Sequence, residues 1–120
     1  MKTLVHKAAK KVAHPMHGLY VAFRDDVSFR MEVGVGVLYL ILGYVLWPLS
    51  PFELVALTLS WTLLLITELQ NTALEMALDR LHPERHEHIG QSKDVAAAAV
   101  VVAHTFAALA VGAIIISRII

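Results

Sequence analysis

Acidic and amide side chains recur along one stretch of this sequence at the spacing of a helix face. These residues are Glu68, Asn71, Glu75 and Asp79. An α-helix turns by about 100° per residue, so all four fall on one stripe of a helix whose other face is aliphatic. A carboxylate can accept a proton from a hydroxyl group, and a second carboxylate about two turns away can hold Mg²⁺ through oxygen. The stripe therefore suits phosphoryl transfer to an alcohol.

The segment that follows the stripe offers a position for phosphate. We expect Ser92 to cap a last helix, with Lys93 and Asp94 in its first turn. The N-terminus of a helix presents free N–H groups and a partial positive charge, and the Lys93 ammonium adds a full charge. Phosphate donor and alcohol are thus predicted to meet at this end of the helices.

The composition indicates what kind of protein positions these residues. The chain has 120 residues, of which 58% are hydrophobic and 17% are charged, and a water-soluble domain of this size cannot bury so much apolar surface. Ten basic residues balance ten acidic ones, so no basic excess points to nucleic acid. The absence of cysteine excludes disulfides, zinc fingers, iron–sulfur clusters and thiol nucleophiles.

Hydropathy predicts an all-α membrane protein that forms a single domain, residues 1–120. Lys, Arg, Asp and Glu are absent between Glu32 and Glu53, and again between Asp94 and Arg118, and a helix needs about 20 residues to cross the hydrocarbon. Between these two spans, Ser50 and Glu53 form a predicted capping box that starts a third long helix. We predict transmembrane helices at 29–48, 51–81 and 93–118, the second extending into the cytoplasm with the acidic stripe.

The N-terminal segment 1–28 is predicted to be an amphipathic surface helix, because its aliphatic residues face away from its lysines at helical spacing. Pro15 and Gly18 are expected to bend the chain, with a second segment over about 19–31 leading into the first span. Six basic residues lie in the segment up to Arg30, at the start of the first span, three lie from Arg80 to Lys93, around the connection between the other two spans, and only Arg118 lies at the opposite end. This distribution predicts a cytoplasmic N-terminus, with Arg118 reaching the outer headgroups.

Small and polar residues within the spans are predicted to pack helices together. Gly34, Gly36, Ala103 and Ala107 would allow close approach of helix backbones, and His104 would be a hydrogen-bond donor between helices.

The segment from Glu68 to Asp79, followed by His86 and Lys93-Asp94, closely resembles the bacterial integral-membrane diacylglycerol kinase family, which includes undecaprenol kinases. The segment from Gly18 to Arg30 matches as well, so the resemblance covers nearly the whole chain. The resemblance implies a homotrimer with active sites at subunit boundaries in the bacterial inner membrane.

The resemblance also implies roles for individual residues. Glu68 takes the place of the catalytic base, which removes the proton of the lipid hydroxyl as that oxygen attacks the γ-phosphate of ATP. Glu75 and Asp26 take the places of the carboxylates that hold Mg²⁺ with ATP, although Asp26 is one methylene shorter than the Glu typical there. Nucleotide-binding or base-adjacent positions are matched by Asn71, Lys93, Asp94, Glu84, His86 and Lys7.

The resemblance implies that diacylglycerol is phosphorylated at the cytoplasmic membrane face to give phosphatidic acid. Glu32 favours this substrate over undecaprenol, because undecaprenol-specific members tend to carry His there; undecaprenol is the alternative. Two other classes are a proton-coupled or cation transporter that uses Glu68, Glu75 and His104, and a non-catalytic membrane subunit. A transporter would need acids throughout the membrane depth, whereas here they gather at one edge.

Overall fold

The described residues of the computed structural model, 2–84 and 86–120 with side chains from residue 10 onward, form four helices. These are α1 (Lys2–Asp25), α2 (Val27–Val45), α3 (Pro51–Leu81) and α4 (Glu87–Ile119). The last three are long and apolar enough to cross a membrane. Large apolar side chains such as Leu40 and Leu109 are exposed on them, as expected of surfaces that meet lipid or another subunit. The predicted all-helical class is confirmed.

The helices pack through small residues, largely as predicted. Leu64 of α3 is buried against Ala103 and Ala107 of α4, and the short alanine side chains let the two backbones approach. On α2, a Cβ added at Gly36 would overlap the indole ring of Trp61. Gly34 differs from the prediction, since no neighbouring atom lies within 4 Å of a Cβ built there.

The first break in the chain falls at Asp26 and not at Pro15 or Gly18. Helix α1 continues through Pro15 to Asp25. Asp26 has an extended backbone, and its Oδ1 atom accepts hydrogen bonds from the N–H groups of Ser28 (2.7 Å) and Phe29 (3.3 Å). An aspartate in this conformation is a strong N-cap. The predicted second segment over about 19–31 is therefore wrong, because the cap of α2 places the break within it, whereas the bend at Pro15 and Gly18 within the continuous helix α1 stays a prediction.

The other helix ends agree with the prediction in α3 and differ in α2 and α4. Both hydrogen bonds of the Ser50–Glu53 capping box are present, and α3 ends at Leu81. Helix α2 ends at Val45, short of residue 48, and the approaching Trp47-Pro48 pair disfavours helical backbone. Helix α4 begins at Glu87 instead of residue 93. Ser92 is thus no cap, and its hydroxyl donates to the His88 carbonyl one turn back (3.0 Å).

Ion pairs at both ends hold α3 antiparallel to α4. Lys93 of α4 pairs with Asp79 of α3 at one end. At the other end, Arg118 donates to both carboxylate oxygens of Glu53, each at 2.7 Å, and to the Pro48 carbonyl at 2.9 Å. The guanidinium of Arg118 thus has a bidentate partner within the chain, and its reach to the outer headgroups stays a prediction.

Candidate active site

The predicted acidic stripe lines one cavity at the end of the helices where α1 meets α2. This cavity has a volume of about 320 Å³. Its lining includes all four stripe residues, together with side chains from the α1–α2 junction: Asp25, Asp26, Val27, Ser28, Glu68, Asn71, Thr72, Glu75, Met76 and Asp79. A groove of about 1090 Å³ lies at the opposite end beside Arg118, but its lining is mostly apolar. The side chains that could take part in catalysis therefore lie at the acidic end of the helices.

Glu68 is the most buried carboxylate of the cavity, with 4% of its surface exposed. The carboxylates of Asp26 and Glu75 line the same cavity. A carboxylate in such surroundings has poor access to water, so it is suited to take a proton from a bound hydroxyl group.

Thr72 connects the cavity wall on α3 to the α1–α2 junction. It lies one helical turn beyond Glu68, and its hydroxyl contacts the Glu68 carbonyl oxygen (2.8 Å) and the Oδ2 atom of Asp26. One carboxylate oxygen of Asp26 thus caps α2 while the other accepts from α3. Sequence reasoning missed Thr72, although its spacing from Glu68 on the same stripe was a usable signal.

Asn71 and Glu75 sit side by side on the cavity wall. The Asn71 side-chain N–H₂ group donates to a Glu75 carboxylate oxygen at 3.4 Å. The Asn71 carbonyl oxygen Oδ1 is buried and has no hydrogen-bond partner among the described residues. A buried acceptor without a partner is costly unless a ligand satisfies it.

The oxygen atoms of this cavity are the type that Mg²⁺ prefers. Carboxylates of Asp26 and Glu75 and the free Asn71 oxygen all belong to its lining. Across the described part of the chain, no three His, Asp or Glu side chains form a ready-made metal cluster. Mg²⁺ usually binds through one or two carboxylates together with waters and substrate phosphates. The donor set therefore fits a cation that arrives with a nucleotide.

Asp25 adds another negative charge to the cavity. Arg24 donates two hydrogen bonds of 2.6 Å to its carboxylate and holds the pKa of Asp25 below its usual value. Asp25 therefore stays ionised at neutral pH, next to Asp26. The sequence analysis did not single out Asp25.

A second cavity, of about 410 Å³, lies beside the loop between α3 and α4. Glu84, His86 and Lys93 line it, and Asp79 lines both cavities. Lys93, expected to face phosphate from a helix N-terminus, lies inside α4 and is paired with Asp79. Asp94 is exposed and belongs to the lining of neither cavity. The side chain of Lys7 lies outside the described part of the chain.

Comparison with known proteins gives a consistent answer. The family described as "Prokaryotic diacylglycerol kinase" matches residues 13–116. A diacylglycerol kinase of Escherichia coli is 34% identical over 94 residues, 78% of this chain and 76% of the relative. One from Haemophilus influenzae is 32% identical over 90 residues, 75% of each chain. One from Pseudomonas aeruginosa is 31% identical over 104 residues, 87% of this chain and 84% of the relative.

Three apolar helices that end in an acidic cavity define a membrane protein with its polar site at one end of the bundle. The match to one family over most of the chain shows which class of membrane protein this is. This chain belongs to the prokaryotic diacylglycerol kinase family and is a kinase.

Proposed function

We propose that this chain transfers the γ-phosphate of ATP to the hydroxyl group of diacylglycerol and releases phosphatidic acid at the cytoplasmic face of the bacterial inner membrane. The observation that carries the proposal is the buried Glu68 carboxylate in a cavity with Asn71 and Glu75. Nine of the ten Lys and Arg residues lie in the N-terminal segment up to Arg30 or between Arg80 and Lys93, which favours a cytoplasmic position for this end.

In the proposed reaction, Glu68 accepts the proton of the lipid hydroxyl. The hydroxyl oxygen forms a bond to the γ-phosphorus, and the bond between that phosphorus and its bridging oxygen breaks, so ADP leaves with the electron pair. Phosphoryl transfer needs little covalent chemistry from the protein, and positioning with charge stabilisation supplies most of the rate.

Nucleotide binding is assigned to the loop cavity and the neighbouring cavity wall. Glu84, His86 and Lys93 line the loop cavity, which adjoins the acidic cavity at Asp79. Asp26, Asn71 and Glu75 would hold Mg²⁺ bound to the ATP phosphates, and the ion would neutralise their negative charge. Lys93 contributes a positive charge at the boundary of the two cavities, where Asp79 is its partner before nucleotide binds.

The proposal includes a homotrimer with active sites at subunit boundaries. The Asp94 side chain is exposed on the surface of α4, where it is available to a neighbouring subunit. The same arrangement would let Lys7 of the surface helix contribute its charge to a nucleotide. Crosslinking of Asp94→Cys to an engineered cysteine on α1, followed by mass determination, tests this arrangement.

The kinase assay compares Glu68→Gln with Glu53→Gln in mixed micelles that contain Mg²⁺, ATP and diacylglycerol. Both variants replace the same residue type on α3, but Glu53 lies at the opposite end and pairs with Arg118. We expect Glu68→Gln to lose about 10²–10⁴-fold in kcat, as removal of a general base does, and Glu53→Gln to retain kcat. Full activity of Glu68→Gln would exclude it as the base.

A parallel assay with undecaprenol decides between the two lipid alcohols. We expect a larger kcat/KM for diacylglycerol. A larger kcat/KM for undecaprenol would make undecaprenol the substrate and would leave the proposed role of Glu68 as the base unchanged. If wild-type protein phosphorylates neither alcohol, the proposed substrate class is wrong. Membership in a kinase family favours this reaction over the transporter and non-catalytic alternatives.

A further inference from the structure

A histidine and a glutamate from different helices, neither of them in the lining of the acidic cavity, contact each other. The Nε2 atom of His104 on α4 lies 2.8 Å from the Oε1 atom of Glu32 on α2. Glu32 is 8% exposed, and its backbone carbonyl accepts a hydrogen bond of 2.9 Å from the Trp61 indole. The pair therefore joins α2 to α4 in a region where ionisable groups are costly and mark functional positions.

The ion pairs between α3 and α4 place His104 at the level of Glu68. Lys93 pairs with Asp79, and His104 lies as many residues from Lys93 along α4 as Glu68 lies from Asp79 along α3. Because both helices rise by the same amount per residue, the antiparallel register sets His104 and Glu68 at the same level along the bundle.

Hydrogen bonding fixes the number of protons on the pair. The Nδ1 atom of His104 lies 2.8 Å from the Val100 carbonyl oxygen, which can only accept, so Nδ1 carries a proton. The contact between Nε2 and the Glu32 oxygen then holds one further proton, either on nitrogen or on oxygen. Imidazolium with carboxylate and imidazole with carboxylic acid both have zero net charge. The pair is neutral in either arrangement.

We propose that the Glu32–His104 pair shares one proton and that His104 is a positioning residue for the base Glu68, because it offsets the negative charge of Glu32, a carboxylate close to the level of Glu68. This inference rests on the proposed function. Asp26 and Glu75 share the acidic cavity with Glu68, and Glu32 contacts His104 at about the level of Glu68. Of these residues, His104 alone has a basic side chain.

Removal of His104 leaves Glu32 with two unfavourable choices. As an anion it repels the negative charge that Glu68 needs as a base. As a neutral acid it requires a new hydrogen-bond partner, although its Oε2 atom is already buried without one among the described residues. Either change acts on Glu68 without contact between His104 and substrate.

The first experiment measures the pair without any reaction. Nitrogen-15 spectra of histidine-labelled protein in bilayers, assigned with His104→Gln, report the protonation of both ring nitrogens. We expect a protonated Nδ1 and a strongly hydrogen-bonded Nε2 that changes in Glu32→Gln. The control His88→Gln, on the exposed loop side of α4, should leave the His104 signals unchanged. Identical His104 signals in wild type and Glu32→Gln would overturn the proton-sharing pair.

The second experiment measures the kinase reaction in single and double variants. We expect His104→Leu to reduce kcat about tenfold with little change in the KM for ATP. The variant His104→Gln retains an N–H donor and should recover part of the loss. The double variant Glu32→Gln/His104→Leu should recover most of it, because no carboxylate is left to neutralise.

If the Glu32–His104 contact only linked α2 to α4, the kcat of the double variant would not exceed that of His104→Leu. Loss of both partners would then be no better than loss of His104 alone, and kcat would follow the loss in Tm. That result overturns the positioning role. If wild-type protein phosphorylates no lipid alcohol, the proposed function fails, but the nitrogen-15 experiment still decides whether the pair exists.

Discussion

The hydroxyl group of Thr72 on α3 donates to the Asp26 carboxylate, whose other oxygen caps α2. The Thr72 side chain therefore fixes the position of Asp26, at the α1–α2 junction, relative to α3, the helix that carries Glu68. Asp26 is the residue proposed to hold a divalent cation, so the same contact positions a structural cap and a site carboxylate.

Thr72→Val tests this contact, because valine keeps the shape of threonine and removes the hydroxyl. We expect the free energy of unfolding to fall by about 1.5–3 kcal/mol, since a buried hydrogen bond to a charged group is lost. Kinase activity should fall further than this loss of stability explains, because Asp26 is freed from α3. Unfolding curves and kcat at several Mg²⁺ concentrations measure the two effects.

Thr62→Val is the matched control for Thr72→Val. The Thr62 side chain is exposed on the same helix and donates only to the Thr58 carbonyl oxygen (2.7 Å). Loss of the Thr62 hydroxyl group should leave the free energy of unfolding and kcat nearly unchanged. Equal effects of the two substitutions would show that the hydroxyl contact to Asp26 has no special role.

The acidic stripe was predictable because its geometry is local to one helix. The spacing of Glu68, Asn71, Glu75 and Asp79 fixes their common face whatever α3 packs against, and the structure places them on one cavity. The Ser50–Glu53 capping box was predictable for the same reason, since both partners lie within one turn.

Contacts between helices were not predictable from periodicity. The Thr72–Asp26 and Lys93–Asp79 contacts depend on the register between neighbouring helices, which the spacing along one helix does not determine. The prediction of where α4 starts was wrong for another reason. His86 makes no side-chain capping hydrogen bond, so the true start has no residue signal, whereas Ser92 looks like a cap but bonds to its own helix.

Gly36→Ala tests the close packing of α2 on α3. The added methyl group would overlap the Trp61 ring, whose N–H group donates to the Glu32 carbonyl. We expect a loss of about 1–3 kcal/mol in the free energy of unfolding, as for other overpacked sites. Gly34→Ala meets open space and is the control that should be neutral or stabilising. Comparable losses in the two variants would mean that Trp61 does not restrict this position.

The Arg118–Glu53 pair should contribute to stability and not to the reaction. Arg118→Met removes the bidentate contact and should lower Tm by several degrees while kcat stays unchanged, because the pair lies at the end of α3 opposite Glu68. Arg118→Lys retains the charge but lacks the planar fork, so an intermediate Tm is expected. A large fall in kcat for Arg118→Met at a temperature where the protein is folded would contradict this separation.

Glu75→Gln tests the cation-binding role of the acidic cavity. Glu75 accepts from the Asn71 amide at 3.4 Å, and a glutamine there keeps the size of the side chain but loses its charge. We expect the Mg²⁺ concentration for half-maximal activity to rise about tenfold or more, because a hard cation prefers a charged oxygen ligand. The control is Glu53→Gln, at the far end of the same helix, whose Mg²⁺ dependence should equal that of wild type. An unaltered Mg²⁺ dependence in Glu75→Gln, with Tm and assembly preserved, would remove Glu75 from the cation site and leave Asp26 and the Asn71 oxygen as its proposed ligands.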